Sequence, residues 1–385
     1  MNAEPLPPFF VTVAVSRKDT AQAAVTEALS TLDLRETCFV LAFVPDRLRL
    51  DAVASALNTG TGGIPVFGCT TAGQITPLGY ETEALLLIAF PREHFRCASM
   101  LIAPLKPLSM KSIAAAARAH ASRFRCTAGW DRLALIFADG LSKQEDLLVS
   151  TLETALGDIP VFGGSAGDNL SFKETFVLHN GAFHTNAALL LLLETDLAFK
   201  GLGFDHFLPT EQQVVVTEAL PEERLVLELN GAPAALEYAR IVGCPVEDLC
   251  PQIFAENPML VRQNMNYHVR AIHDAPGAHA LSFMGAIDDG LILTLGRGKA
   301  IIETLEAGLN VRGARGEHPD FVLGFDCVLR KLEIEQKHLG QPVSQIFRQR
   351  RVIGFNTYGE QHCGVHVNQT FVGVAFFEPE RRTLP

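Results

Sequence analysis

The stretch Ile64-Pro65-Val66-Phe67-Gly68 recurs 95 residues later as Ile159-Pro160-Val161-Phe162-Gly163, and the flanks of the two copies also agree. Upstream of the first stand an apolar run over residues 38–44 and a helical pattern over 48–57; upstream of the second stand a run over 133–138 and a helical pattern over 144–156. Each copy then passes through a loop of small residues, Cys69-Thr70-Thr71-Ala72-Gly73 or Gly164-Ser165-Ala166-Gly167, into a further apolar strand at 84–90 or 187–193. Each therefore reads β-α-β-loop-β, and repetition organises the chain.

A third, more divergent copy closes the sequence. Residues 321–326 read as a strand, 327–339 as a helix and 352–356 as a strand leading into Thr357-Tyr358-Gly359-Glu360, with 371–377 as the final strand. Before it, 214–217 and 226–229 read as strands around Pro221, Asn230-Gly231 signals a turn, and 232–242 is a short helix with proline in its first turn. The boundary is placed near 203–213. The expected fold is α+β, with repeated β-α-β-loop-β units forming two mixed-sheet domains with flanking helices, 1–205 and 206–385. Residues 378–385 read as a charged, frayed tail.

The 385 residues are enough for two or three domains. With 32 Lys and Arg against 43 Asp and Glu, the net charge is −11 and no long basic run exists, which excludes nucleic acid or an anionic membrane surface as the primary partner. Hydrophobic residues make up 48% and charged ones 19%, which excludes disorder. The 25 Phe against 4 Tyr and 1 Trp give an almost wholly apolar aromatic content suited to a greasy interior. No apolar run approaches the ~20 residues of a membrane span, and the start Met1-Asn2-Ala3-Glu4-Pro5 lacks a basic leader, so a cytoplasmic protein is expected. Eight scattered cysteines without a CxxC read as buried thiols of a reducing compartment.

Several motifs could carry chemistry. Gly163-Gly164-Ser165-Ala166-Gly167 matches G-x-S-x-G, which would make Ser165 an esterase-like nucleophile; that elbow needs a helix behind it, whereas the sequence runs on towards a strand at 175–178, so a ligand-facing turn fits better. Asp139 and Asp168 stand at strand ends as turn caps. Imidazole is the commonest ligand for haem iron and zinc, and three histidines stand out. His268 lies in a strand-like stretch, His206 between aromatic neighbours in Phe204-Asp205-His206-Phe207, and His366 in His362-Cys363-Gly364-Val365-His366. Zinc would need a further tight pair, which is missing. Cys244-Pro245 and Cys250-Pro251 read either as thiolate ligands or as helix boundaries; a redox or metal role for them and Cys363 stays open.

Taken in order, Gly68-Cys69-Thr70-Thr71-Ala72-Gly73, Gly163-Gly164-Ser165-Ala166-Gly167-Asp168, Val215-Val216-Thr217-Glu218-Ala219, Leu229-Asn230-Gly231-Ala232-Pro233-Ala234, Phe325-Asp326-Cys327 and Thr357-Tyr358-Gly359-Glu360 with Asn368-Gln369-Thr370 resemble the FIST sensory domain in its N-terminal and C-terminal halves. The stretch 355–361 followed by 365–370 is most similar to the haem-binding, nitric-oxide-sensing branch known as NosP. The resemblance implies bacterial signal transduction with haem b as cofactor, nitric oxide as signal and a histidine kinase regulated in trans, as in a two-component system; it also leaves a homodimer open. It does not single out the iron ligand. His268 is the first choice, then His206 and His366, with Arg270 and Arg262 as propionate partners. A haem-free FIST sensor of an amino-acid-like metabolite, held on the small-residue loops, is the alternative.

Overall fold

Runs such as Thr37–Pro45 and Ala188–Thr195 are apolar at nearly every position, as strands covered on both faces must be. In the computed structural model, which describes residues 9–263 and 266–379, both are buried almost throughout. The fold is α+β, with mixed sheets flanked by helices.

Three six-stranded sheets share one order. In the first, Thr12–Ser16, Leu85–Pro91, Thr37–Pro45 and Val66–Thr71 lie side by side. The second repeats this with Phe95–Ile102, Ala188–Thr195, Asp131–Ala138 and Val161–Ser165, and the third with Phe199–Asp205, Thr370–Phe376, Phe321–Cys327 and Val352–Thr357. The last two strands of each set are parallel and the others antiparallel. A parallel pair needs a crossover, supplied by Leu50–Gly60, by Glu145–Leu156, and by Val328–Gln336 with Gly340–Gln349.

One contact marks the equivalence of the three units. Gly68 is paired with Ala42, Gly163 with Ile136 and Gly354 with Gly324; a Cβ at any of the three glycines would lie 1.9 Å from the carbonyl oxygen of its partner. The glycine closing the repeated pentapeptide is therefore a steric necessity, and Val352-Ile353-Gly354 is its third, divergent copy.

Each sheet is completed by a hairpin from another unit, in a closed cycle. Gln74–Thr76 with Gly79–Glu81 leaves the first unit to pair with Val352–Thr357 of the third. Val177–His179 with Ala182–His184 leaves the second for Val66–Thr71 of the first, and Glu360–His362 with Val365–Val367 leaves the third for Val161–Ser165 of the second. The inner faces of the sheets then share one phenylalanine core, in which Phe43 stacks on Phe355 at 4.6 Å and Phe321 on Phe376 at 4.7 Å. Helices cover each outer face.

A fourth, antiparallel sheet, from Phe207–Leu220 to Ile292–Gly298, is inserted into the third unit between Phe199–Asp205 and the helix Ile301–Gly308. It has its own core, against which Ala234–Val242 and Pro251–Glu256 pack. The boundary drawn at 205/206 falls at the entry to this insertion. Each unit also begins one strand and one helix earlier than the repeat read from sequence. The leading strands are edge strands with irregular burial, so no apolar run announces them. The N-terminal stretch 1–5 and the tail from residue 380 lie outside the described residues. Among the described residues no helix is long and apolar enough to cross a membrane.

Candidate functional site

The insertion meets the third unit along a cleft of about 500 Å³, within the range of small-molecule sites. One wall is the strand Phe199–Asp205, another is the hairpin Met259–Gln263 with Asn266–Arg270, and a third is the hairpin Glu360–His362 with Val365–Val367. Strand pairing sets Val261 opposite His268, and His268 reaches the cleft half-buried.

His362 stands opposite. Cys363 (φ 50°) and Gly364 (φ 72°) form a two-residue turn with both φ positive, the form that matches strand twist. It pairs His362 with Val365 and Gln361 with His366, so alternation gives His362, Val365 and Val367 one face of the hairpin and Gln361 and His366 the other. His362 lies against Gly203, where a Cβ would come within 2.6 Å of its ring, and stacks on Phe162 at 5.5 Å. The Cys363 thiol is 3.3 Å from its Nε2.

Burial pushes both cleft imidazoles below the ordinary histidine value; the charge of Arg270 adds to this at His268, and the charge of His268 adds to it at His362. Both are thus held towards the neutral form, the form that binds a metal. Asp205, Gln263 and Thr370 add polar groups, and Phe204, Val367 and Val372 apolar ones. Among the described residues no three His, Cys, Asp or Glu side chains converge as a metal cage.

The other candidates lie elsewhere. His206 is fully buried in a chain of charges in which its Nε2 is 2.7 Å from Glu333 and its Nδ1 2.9 Å from Arg330. A guanidinium can only donate, so Nδ1 accepts and Nε2 carries the proton given to Glu333; burial dominates in keeping this ring neutral. No lone pair remains for iron. Arg330 goes on to Asp326, which accepts from Tyr80 of the exchanged first hairpin. His366 is buried on the far face of its hairpin, with Gln361 donating to Nδ1 at 3.3 Å and Nε2 unpartnered against Gly359. Arg270 does not reach the cleft either: it is buried, donates to the Ala286 carbonyl at 3.1 Å and lies 3.8 Å from Asp146. Arg262 is exposed and outside the cleft lining. Sequence reading noticed His362 only as a neighbour of His366; the Cys-Gly turn was the signal that separates the two faces.

The small-residue loops meet one another. A Cβ at Gly164 would sit 2.3 Å from the Thr357 side chain and one at Gly167 2.9 Å from the Ala72 nitrogen, so the loops pack closely at these two points. Ser165 is completely buried, accepts from Gln361 at 2.9 Å and is followed by an irregular loop rather than a helix, so the nucleophile elbow is not formed. Asp168 caps its loop by accepting from the Phe172, Lys173 and Glu174 amides, and Asp139 from that of Leu141. Cys244 follows the end of one helix and Cys250 caps the start of the next, at helix boundaries away from the cleft.

Comparison with known proteins gives two family matches: the FIST N domain over residues 38–232 and the FIST C domain over residues 234–363. No curated protein matches the chain in sequence. Among solved structures, cyanuric acid hydrolase from A. caulinodans is similar at 8% identity and a TM-score of 0.26, over 48% of this chain and 71% of that one, which carries no argument about fold or chemistry.

Proposed function

The chain belongs to the FIST family, with both the FIST N and the FIST C domain, and from that premise of a sensory signalling role we propose a haem-dependent nitric oxide sensor of the NosP type that regulates a partner histidine kinase in trans. The observation that carries the finer reading is the pair of neutral-leaning imidazoles, His268 and His362, facing one cleft of about 500 Å³. Haem b, when bound, supplies an iron that takes up a diatomic gas. His268 would hold that iron, and His362 lines the opposite wall. Among the described residues the cleft lining holds Asp205 and no lysine or arginine, so no residue is assigned to the propionates.

His268 stands on Asn266–Arg270, which is linked through Met259–Gln263 and Ile292–Gly298 to the long strand Phe207–Leu220. A change in the pull on His268 therefore reaches the sheet of the insertion, and ~1–3 kcal/mol of coupling suffices for a ~5–150-fold change in affinity for a kinase. Titration of the full chain with haem should give a stoichiometric Soret band that shifts with nitric oxide, and the loaded protein should change the autophosphorylation of the kinase in a nitric-oxide-dependent way. Failure to take up haem overturns the reading in favour of a haem-free FIST sensor, for which a ligand screen by thermal shift is the corresponding test.

A further inference from the structure

A second cavity, of about 410 Å³, opens where three parts of the fold converge and shares no lining residue with the histidine cleft. The second unit contributes Lys143, Phe172 and Lys173 from the loops that follow two of its strands. The insertion contributes Arg224 and His273, and the third unit contributes Tyr358. The remaining lining is glycine and apolar side chain, and no carboxylate is among it. Three permanent cations line the cavity; Arg224 and Lys143 are paired with carboxylates set behind the lining, and Lys173 makes no ion pair among the described residues.

The geometry of the lining is specific. Phe172 stacks on Tyr358 at 4.6 Å and meets His273 edge-on at 4.5 Å, which forms an aromatic ledge. The Tyr358 hydroxyl is fixed from behind by Asp168 and by the Leu170 amide. Arg224 is 5% exposed and pinned by Glu145 at 2.6 Å and Asp146 at 3.0 Å. Lys143 is tied to Glu223, while Lys173 is exposed at the mouth. His273 is exposed at the edge of this ledge, where its ring nitrogens can accept or donate.

Three of these residues occupy left-handed backbone although none is glycine: Lys143 at φ 57°, Phe172 at φ 49° and Arg224 at φ 50°. Such conformations are rare outside glycine and asparagine and concentrate where a ligand is clamped. Here all three residues line the same cavity.

We propose that this cavity is a binding site for a small organic oxyanion, a carboxylate or a phosphate, carrying a flat apolar body. The body lies on Phe172 and Tyr358, and the oxyanion is met by Lys173 and His273, with Lys143 turning to it from Glu223. Free amino acids are poor ligands, because the lining offers no carboxylate to an ammonium group. Since the site spans the second unit, the insertion and the third unit, its ligand clamps the insertion onto the core and biases the position of the same sheet that carries His268.

Calorimetric titration of the full chain, without haem, tests the site independently of the haem reading. The probes are phenylacetate and phenyl phosphate, with benzyl alcohol and L-phenylalanine as controls. At least one of the two anions should bind at submillimolar concentration and weaken as salt is raised, while both controls bind at least ~10-fold more weakly. Whichever anion binds more tightly identifies the oxyanion. Lys143→Ala and Lys173→Glu should each lower that affinity ~10-fold or more; Lys173 is exposed, so its variant keeps the fold even if the other does not. Absence of binding by both anions, equal binding of L-phenylalanine, or unchanged affinity in Lys173→Glu overturns the proposal.

Discussion

Replacing Gly354 by alanine places a methyl group 1.9 Å from the Gly324 carbonyl oxygen, where contacts below 3.0 Å do not occur, at a φ of +155° that L-residues rarely adopt. The obstacle is the backbone of a paired parallel strand and cannot swing aside as a side chain would. Overpacking in a tight core costs about 1–3 kcal/mol and an unfavourable φ a further 1–3 kcal/mol, so Gly354→Ala should lose about 2–6 kcal/mol. Gly68→Ala, with φ +147° and the same 1.9 Å approach to Ala42, should behave alike; Gly163→Ala, which has the approach to Ile136 without the positive φ, should lose about 2–3 kcal/mol. Gly157 is the control: its φ is +62° with nothing within 4 Å of an added Cβ, so only the φ cost of about 1–2 kcal/mol applies. Urea unfolding of the four variants, compared by midpoint, measures all of this. If Gly354→Ala unfolds within about 1 kcal/mol of the parent, or no earlier than Gly157→Ala, the shared parallel-pair geometry of the three units is refuted.

Other consequences follow from buried charge and from the thiols. Arg330 and Asp326 are both fully buried and 2.8 Å apart, so Arg330→Met, which leaves Asp326 without its cation and His206 Nδ1 without its donor, should cost about 3–5 kcal/mol by denaturant unfolding. His366 binds fewer protons folded than unfolded, since burial lowers its pKa; its contribution to stability is complete above the ordinary value of ~6.5 and is lost as pH falls below it. Glu360, whose buried carboxyl is pushed well up, pulls the opposite way, so the measurement is the difference between the parent and His366→Gln, whose stability should fall less between about pH 7.5 and about pH 5.5. Cys38 is brought down to about 7 by a hydrogen bond from Cys97, helped by Arg96 and Arg92; its alkylation by iodoacetamide should titrate near that value and move up by more than one unit in Cys97→Ala.

What could be read from sequence was what burial writes locally. Val66-Phe67-Gly68 and Val161-Phe162-Gly163 stand out because strands covered on both faces carry uninterrupted apolar runs, and a glycine is required where the parallel partner comes closest. The hairpin exchange was not readable: Gln74–Thr76 carries a pattern for a face, but nothing in three residues says that the face belongs to the third unit's sheet. The leading strands Thr12–Ser16, Phe95–Ile102 and Phe199–Asp205 escaped because edges are only half covered. The phenylalanine excess, read as suited to a greasy interior, sits mostly where the three sheets meet, and of the phenylalanines only Phe204 lines the histidine cleft. Within the site, His268 was legible as a strand histidine, whereas the neutral tautomer of His206 and the burial of Arg270 depend on Arg330, Glu333 and Asp146, which approach from distant parts of the chain.

Visible absorption of the full chain with one equivalent of haem, in the parent and in His268→Ala, His362→Ala, His206→Ala and His366→Ala, tests the proposal that His268 holds haem in the cleft between the insertion and the third unit. The Soret band of the parent should be lost or displaced in His268→Ala, altered in His362→Ala, and unchanged in any folded His206→Ala or His366→Ala protein. A His268→Ala spectrum identical to that of the parent, before and after nitric oxide, would contradict it.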